Sequence, residues 1–150
     1  MVFVPRDPQY EARVRASFEA QRFMATIGAT LDRVAPGEVV ISVPFREELT
    51  QQHGFLHAGA IGAIADSACG YAALTLMDPG VAVLSAEYKI NLLAPAAGPR
   101  FVASARVVRA GHTLTVCAAE VCAMVAEPGT PVALMQATMV TVRDRAGLRD

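Results

Sequence analysis

Residues 51–77 read QQHGFLHAGAIGAIADSACGYAALTLM, a run of apolar and very small side chains around which the rest of the chain must fold. Within its main body, only His57 and Asp66 can exchange a proton near neutral pH. The sequence Asp78-Pro79-Gly80 follows directly and is a strong stop signal for a helix. We therefore expect a long buried helix, with alanines and glycines that allow a sheet to approach closely.

The same run also has the length of a membrane span, since residues 56–77 reach the roughly 20 residues that cross a bilayer. Asp66 would lie mid-span, where a carboxylate is costly, and the run has no flanking lysine or arginine. The first residues, MVFVPRDPQY, lack the basic start and apolar stretch of a signal peptide. We therefore predict no membrane association and a cytoplasmic location.

Composition limits the possible partners. A chain of 150 residues fits one domain with its own core, and its 53% hydrophobic content favours an oligomer that buries apolar surface. The formal net charge is −1 and no basic stripe appears, so nucleic acid is not an expected partner. Cys69, Cys117 and Cys122 have neither disulfide-framework nor zinc-site spacing. We expect buried free thiols and no metal site.

The order of elements predicts the fold class. Asp7-Pro8 begins a first helix that ends near Gly28, so residues 1–28 form an N-terminal helix before the sheet. Alternating patterns and turn signals then predict strands at 29–34, 38–45, 81–93, 101–110, 113–126 and 132–142, with a frayed tail at 143–150. Strands and helices do not alternate regularly, so we predict one α+β domain, residues 1–150, with an antiparallel sheet wrapped around one long central helix.

Two segments carry a resemblance to a known family. Residues 57–73, HAGAIGAIADSACGYAA, and residues 84–96, LSAEYKINLLAPA, resemble the hot-dog-fold acyl-CoA thioesterases of the phenylacetate-degradation (PaaI-like) type. That family has an Asn before a His-Gly-Gly helix start, an Asp two turns into the helix and a Ser opening the next strand. Here Gln51, His57-Ala58-Gly59, Asp66 and Ser85 stand at those positions. The changes to Gln51 and Ala58 bear on substrate shape more than on reaction type.

The resemblance implies hydrolysis of an acyl-CoA thioester to a carboxylic acid and free coenzyme A, with no cofactor beyond the coenzyme A of the substrate. It also implies a homodimer with shared sites, to which one subunit gives Ala58 and Gln51 and the other gives Asp66 and Ser85. A dimer of dimers, a homotetramer, is the expected larger assembly. Helix geometry agrees, because Ala58 and Asp66 are about 12 Å apart along one helix.

The catalytic roles follow from these positions. The first N–H groups of a helix have no partner inside it and lie at its positive end, so the N–H of Ala58 can hold the thioester oxygen. Gln51 can add a second donor. Asp66 can take a proton from water or attack the carbonyl directly, and the sequence leaves both open. It also leaves open an exposed Asp66 on a polar stripe with Ser67, and Ser85 as either a water-orienting group or a plain strand serine.

Further residues are assigned to substrate and coenzyme A. His57, with Gly59, caps the helix or touches the ligand. In similar proteins, the turn formed here by Arg109, Gly111, His112 and Thr113 lies near coenzyme A, where Arg109, His112 and Lys89 can meet phosphates. Asn91 and Tyr88 are candidates for the acyl tunnel, and the sequence leaves open that they pack elsewhere.

Two other functions remain possible from the sequence. One is an acyl-CoA-binding hot-dog protein without turnover. The other is an enoyl-thioester hydratase, which needs a His paired with an acid near the helix start. His57 and Asp66 share one helix in a register that suits such a pair poorly.

Overall fold

A six-stranded antiparallel sheet surrounds one long helix in the computed structural model, which describes residues 3–148 and 150. The elements are α1 (Tyr10–Ala20), α2 (Arg22–Ile27), β1 (Thr30–Ala35), β2 (Glu38–Pro44), α3 (Ala58–Leu74), β3 (Ala82–Leu92), β4 (Arg100–Ala110), β5 (Leu114–Ala123) and β6 (Thr130–Val142). The strand order across the sheet is β1-β2-β4-β5-β6-β3, with every neighbouring pair antiparallel. The predicted α+β class and the wrapped central helix are confirmed.

The core lies between α3 and the concave face of the sheet. On α3, Ile61, Ile64 and Ala68 are buried. Each strand contributes alternate side chains to the same core, as residues 39, 41 and 43 of β2 do. The small residues of α3 let the strands pack close to its backbone, which places the helix at the centre of the domain.

The predicted single N-terminal helix is wrong in one respect, because the structure divides it into α1 and α2 at Gln21. The backbone of Gln21 is extended (φ −79°, ψ 93°), and its N–H donates to the carbonyl of Phe18. The Asp7 carboxylate accepts from the N–H of Gln9, but regular helix begins only at Tyr10. Neither Gly nor Pro stands at residue 21, so the sequence carries no local sign of the break.

The end of α3 is held by side chains from elsewhere. The helix ends at Leu74, before the predicted stop at Asp78. Arg13 of α1 donates to the carbonyl oxygens of Leu74, Met77 and Asp78 at 2.9, 3.1 and 2.8 Å. These bonds satisfy carbonyls that have no partner inside the helix, so the chain can turn before the proline.

Strand β3 forms one edge of the sheet and contains a bulge. Ser85 pairs with Met139 and Glu87 pairs with Thr138, so Ala86 has no partner on β6. The extra residue reverses which side chains face the helix. Ser85 faces α3 before the bulge, and Tyr88 faces α3 after it, while Glu87 faces outward.

The C-terminal residue contacts the domain, and the helices are too short or too polar to cross a membrane in the described part of the chain. The tail that was predicted to fray returns to the domain at Asp150, whose carboxylate accepts from Ser17 Oγ and from the N–H of Val83, both at 2.8 Å. Among the described residues, no helix has the length and apolar character needed to cross a bilayer.

Candidate active site

The first turn of α3 presents one free backbone donor. His57 is the N-cap, and its Nδ1 accepts from the N–H of Gly59 at 2.8 Å. The N–H of Ala60 donates to the carbonyl of His57 at 2.9 Å. Within residues 3–148 and 150, the N–H of Ala58 has no acceptor. His57 therefore accepts hydrogen bonds from the N–H groups of Gly59 and Ala60, and the N–H of Ala58 stays available to the oxygen of a ligand.

Ala58 opens into an apolar cavity of about 460 Å³ that Gln51 also lines. The side-chain oxygen of Gln51 accepts from the N–H of His53, so the amide is turned within its own loop. Its amide nitrogen donates to no other group in the described part of the chain. The remaining wall is apolar and includes Phe55, Ile61 and Leu92. Two predicted oxyanion donors thus lie together at the mouth of the helix.

Asp66 and Ser85 form the second predicted pair. Ser85 Oγ donates to Asp66 Oδ1 at 2.6 Å, although the residues are 19 positions apart. Asp66 is half-buried and lies between the buried Ala65 and Ala68 on neighbouring faces of α3. The carboxylate therefore has a specific donor, Ser85, and lies beside Ser67 at a partly exposed position of α3.

Two cavities flank the Asp66 carboxylate. The smaller, about 200 Å³, is also lined by Ser85 and Tyr71. The larger, about 400 Å³, extends along α3 toward Gly59 and is lined by Phe23 and Tyr88 among others. Liquid water occupies about 30 Å³ per molecule, so both cavities have room for several waters.

The two predicted pairs do not meet within one protomer. Ala58 and Gln51 line one cavity, and Asp66 and Ser85 line others. The eight-residue separation on a straight helix corresponds to about 12 Å. Each protomer thus carries two separate halves of the predicted site.

The predicted coenzyme A residues lie apart from both halves in the protomer. Lys89 and Asn91 face outward from β3, where they line a cavity of about 700 Å³ on the convex face of the sheet with Arg106 and Glu120. The other candidates lie at the end of β4 and in the turn that follows it: Arg109 in the strand, and Gly111, His112 and Thr113 in the turn. None of these lines a cavity with Ala58 or Asp66.

Gly111 has a structural reason to be glycine in that turn. Its N–H donates to the carbonyl of Leu114 at 3.0 Å. A Cβ added to Gly111 would lie 2.3 Å from that same oxygen, so any larger residue would force the backbone apart. The tight turn predicted at Gly111-His112 is therefore present, whatever it contacts.

Thiol chemistry is excluded at the two buried cysteines. Burial raises the pKa of Cys117 to about 12, and it raises the pKa of Cys69 further. Both side chains are fully buried. A thiol in this state is not ionised near neutral pH and cannot act as the nucleophile.

Sequence reasoning missed several residues around Asp66. Gln21 and Ser67 line both flanking cavities, and Phe23 and Met24 of α2 line the larger one. The helix break brings these residues over α3, and no local pattern announces that break. Tyr88, which the sequence offered for the acyl tunnel, lines the larger cavity with Asp66.

Comparison with known proteins identifies the family. The sequence model of the thioesterase superfamily matches residues 53–124, which include α3 with its first turn. The human acyl-coenzyme A thioesterase 13 is 31% identical over 103 residues, 67% of this chain and 73% of that protein. The chain belongs to the thioesterase superfamily. The predicted family and hot-dog fold are confirmed, and the predicted enzyme class, a thioester hydrolase, agrees with this membership.

Solved structures of the family show the same architecture. A thioesterase family protein from Silicibacter pomeroyi is 47% identical, with a TM-score of 0.88 over 90% of this chain and 99% of that one. The E. coli PaaI protein from the phenylacetic acid degradation operon has a TM-score of 0.81 over 90% of this chain and 94% of that one, at 20% identity, and shows the shared fold.

A relative from Saccharolobus solfataricus, named as an esterase, is 38% identical over 80 residues. The match covers 53% of this chain and 56% of that relative. The shared segment therefore spans just over half of that protein.

Proposed function

We propose that this protein hydrolyses acyl-CoA thioesters to a carboxylic acid and free coenzyme A, at sites shared between two protomers. The observation that carries the proposal is the free N–H of Ala58 at the start of α3, open to an apolar cavity beside Gln51. Family membership supports the reaction class.

The free N–H serves as the oxyanion donor. When a nucleophile adds to a thioester carbonyl, negative charge develops on the oxygen. The N–H of Ala58 points out of the positive end of α3, where a donor stabilises that charge more than the uncharged substrate. Gln51 lines the same cavity, and its amide nitrogen supplies the second donor in this proposal.

Asp66 acts as the general base in this proposal. Its carboxylate takes a proton from a water molecule while the water oxygen forms a bond to the thioester carbon. The tetrahedral intermediate then collapses, the carbon–sulfur bond breaks, and the sulfur of coenzyme A leaves as the thiol with the proton returned from Asp66. The Ser85 hydroxyl holds one carboxylate oxygen and leaves the other for water, and the adjoining cavities have room for that water. These two features favour a base over direct attack by Asp66.

A second protomer completes the site. Strand β3 is an edge strand of 11 residues whose outer side has no strand partner in the described part of the chain, and near its start the N–H of Val83 is bonded to Asp150. Two copies paired antiparallel about Tyr88 would set Glu87 of each opposite Lys89 of the other, which is a complementary arrangement. Tyr88 and Leu92, 49% and 56% exposed, would then be covered. Such a dimer brings one protomer's helix mouth toward the other's Asp66.

The larger assembly and the coenzyme A contacts extend this proposal. Val108 and Leu134 are 45% and 42% exposed on the convex face of the sheet, which suits contact between two dimers. Lys89, Arg109 and His112 are the cationic or ionisable groups proposed for the phosphates of coenzyme A.

The hydratase alternative is disfavoured by the helix cap. A hydratase dyad needs the imidazole of His57 near a carboxylate, but His57 Nδ1 accepts from the N–H of Gly59. No hydrogen bond joins His57 to Asp66 in the described residues. The other alternative, an acyl-CoA-binding protein without turnover, is distinguished from the proposed hydrolase by the thiol-release assay described below.

The proposal is tested by removing the donor without disturbing the helix. Proline is well tolerated at the first helical position, and His57 already has the extended backbone (φ −63°, ψ 136°) that precedes a proline. Ala58→Pro therefore deletes the N–H and should lower kcat by about 10²–10³. The measurement is thiol release from a panel of acyl-CoA substrates.

Ala58→Gly is the matched control, since it retains the N–H and should retain turnover.

Asp66→Asn should lower kcat by about 10²–10⁴, because it removes the base and keeps the shape of the side chain. Equal turnover in wild type, Ala58→Pro and Asp66→Asn would refute the proposed mechanism. Binding without thiol release by the wild type would favour the non-catalytic alternative.

A further inference from the structure

A contact with the central helix lies at the break between α1 and α2. Gln21 stands at the break, and its Oε1 accepts from Ser67 Oγ at 3.1 Å, across 46 positions. The flanking residues, Ala20 and Arg22, are good helix formers, so local preference would continue the helix. The tertiary contact therefore fixes Gln21 over the segment of α3 that carries Asp66.

Gln21 lines both cavities that flank the Asp66 carboxylate. It lines the cavity shared with Ser85 and also the cavity that extends toward Gly59. Its amide nitrogen has two hydrogens, and within residues 3–148 and 150 it donates to no group. Because Ser67 holds the amide oxygen of Gln21, the orientation of the amide is fixed, and its nitrogen can donate a hydrogen bond in one direction.

We infer that Gln21 is a positioning residue for the attacking water, a role that rests on the proposed hydrolysis. The water donates one hydrogen bond to the Asp66 carboxylate, and one of its lone pairs accepts a hydrogen bond from Gln21 Nε2. Its remaining lone pair is then directed at the thioester carbon. Ser67 acts through Gln21, because its hydroxyl holds the amide oxygen and so orients the nitrogen. Ser85 likewise holds one oxygen of the Asp66 carboxylate through its hydroxyl.

The role predicts a particular kinetic pattern. Gln21→Met keeps the length of the side chain and removes the donor, so kcat should fall about three- to tenfold with little change in KM, the range expected for one hydrogen bond. Gln21→Glu keeps an acceptor for Ser67 but places a second negative charge by Asp66. The smaller cavity already has Asp150 as its other charged group. In Gln21→Glu, the rise of kcat with pH on the acid side of the pH profile should therefore move to higher pH.

Gln9→Met is the matched control, because Gln9 is exposed just before α1 and lines none of the cavities that contain Ala58, Asp66 or Lys89. Ser67→Ala should lower kcat in the wild-type background but add little to Gln21→Met, since the two act through one amide. Thermal unfolding of each variant separates folding from catalysis.

Unchanged kcat and an unchanged pH profile in both Gln21 variants, with only a lower Tm, would overturn the inference and leave Gln21 as a structural contact. Asp66→Asn, assayed in parallel, separates this result from failure of the function. Loss of turnover in Asp66→Asn with none in the Gln21 variants removes the role of Gln21 alone. Equal turnover in wild type and Asp66→Asn would contradict both the role of Gln21 and the role of Asp66 as the base.

Discussion

Ser85 is the proposed site residue whose contacts the structure defines most closely. Its hydroxyl lies 2.6 Å from Asp66 Oδ1 and 3.5 Å from Met139 Sδ. A hydrogen bond to a carboxylate typically contributes about 1.5–3 kcal/mol. Ser85→Ala should lower kcat by at least about tenfold, because the base loses the donor that orients it. Steady-state thiol release over a pH series is the measurement.

Ser104→Ala provides the comparison for Ser85, since Ser104 is an exposed strand serine on the convex face of the sheet. It should retain wild-type kcat. If both serine variants match the wild type, Ser85 is a plain strand serine and the hydrogen bond has no catalytic part.

At the scale of elements, Arg13 joins the N-terminal helix to the end of α3. Its guanidinium meets the carbonyls at the helix end and the Asp7 carboxylate at 3.2 Å, with side chains only 10% and 9% exposed. Burial lowers the pKa of Arg13, and the nearby Asp7 opposes that effect. Arg13→Met leaves Asp7 and the carbonyls without their partner. We expect a loss of about 3–5 kcal/mol in the free energy of unfolding.

Arg15→Met is the control for this prediction. Arg15 pairs with Glu11 one turn away, with side chains 44% and 50% exposed, and such pairs contribute about 0.3–0.5 kcal/mol. Urea unfolding of both variants measures the difference. Similar losses in the two would show that Arg13 contributes no more than a surface pair.

At the scale of the whole molecule, the two half-sites predict complementation between variants. Ala58→Pro destroys the helix mouth of its protomer but retains Asp66, and Asp66→Asn does the reverse. A mixed dimer then contains one intact shared site and one doubly damaged site. After co-unfolding and refolding an equal mixture, turnover should recover to about a quarter of the wild-type value, because half of the dimers are mixed.

Each variant refolded alone is the control and should stay near background. No recovery in the mixture, with dimers present by sedimentation, would mean that each site lies within one protomer. That outcome would contradict the shared site while leaving Ala58 and Asp66 as candidates.

Much of the fold was predictable because it depends on local patterns. The apolar run at 51–77 required a buried helix, and alternation along each later segment required strands of one antiparallel sheet. The site was partly predictable for a similar reason: Asp66 is the one carboxylate in an apolar helix. His57, Ala58 and Gln51 are close in sequence, so their grouping at the helix start follows from local geometry.

The face on which Ser85 lies was not predictable from alternation. The strand pattern groups Ser85 with Glu87 and Lys89, on the outward side. The bulge at Ala86 reverses that grouping and turns Ser85 toward Asp66. A bulge depends on how β3 pairs with β6, which is a relation between distant segments.

The sequence alone determined the central helix, the alternation of inward and outward side chains along most strands and the residues able to do chemistry, because each is encoded within a few neighbouring positions. Only the tertiary structure decided the break at Gln21, the end of α3 at Leu74 and the inward turn of Ser85. Each depends on a hydrogen bond or a strand pairing between residues far apart in the chain, namely Ser67, Arg13 and the β6 ladder. Such contacts outweigh local preference, and no short window of sequence contains them.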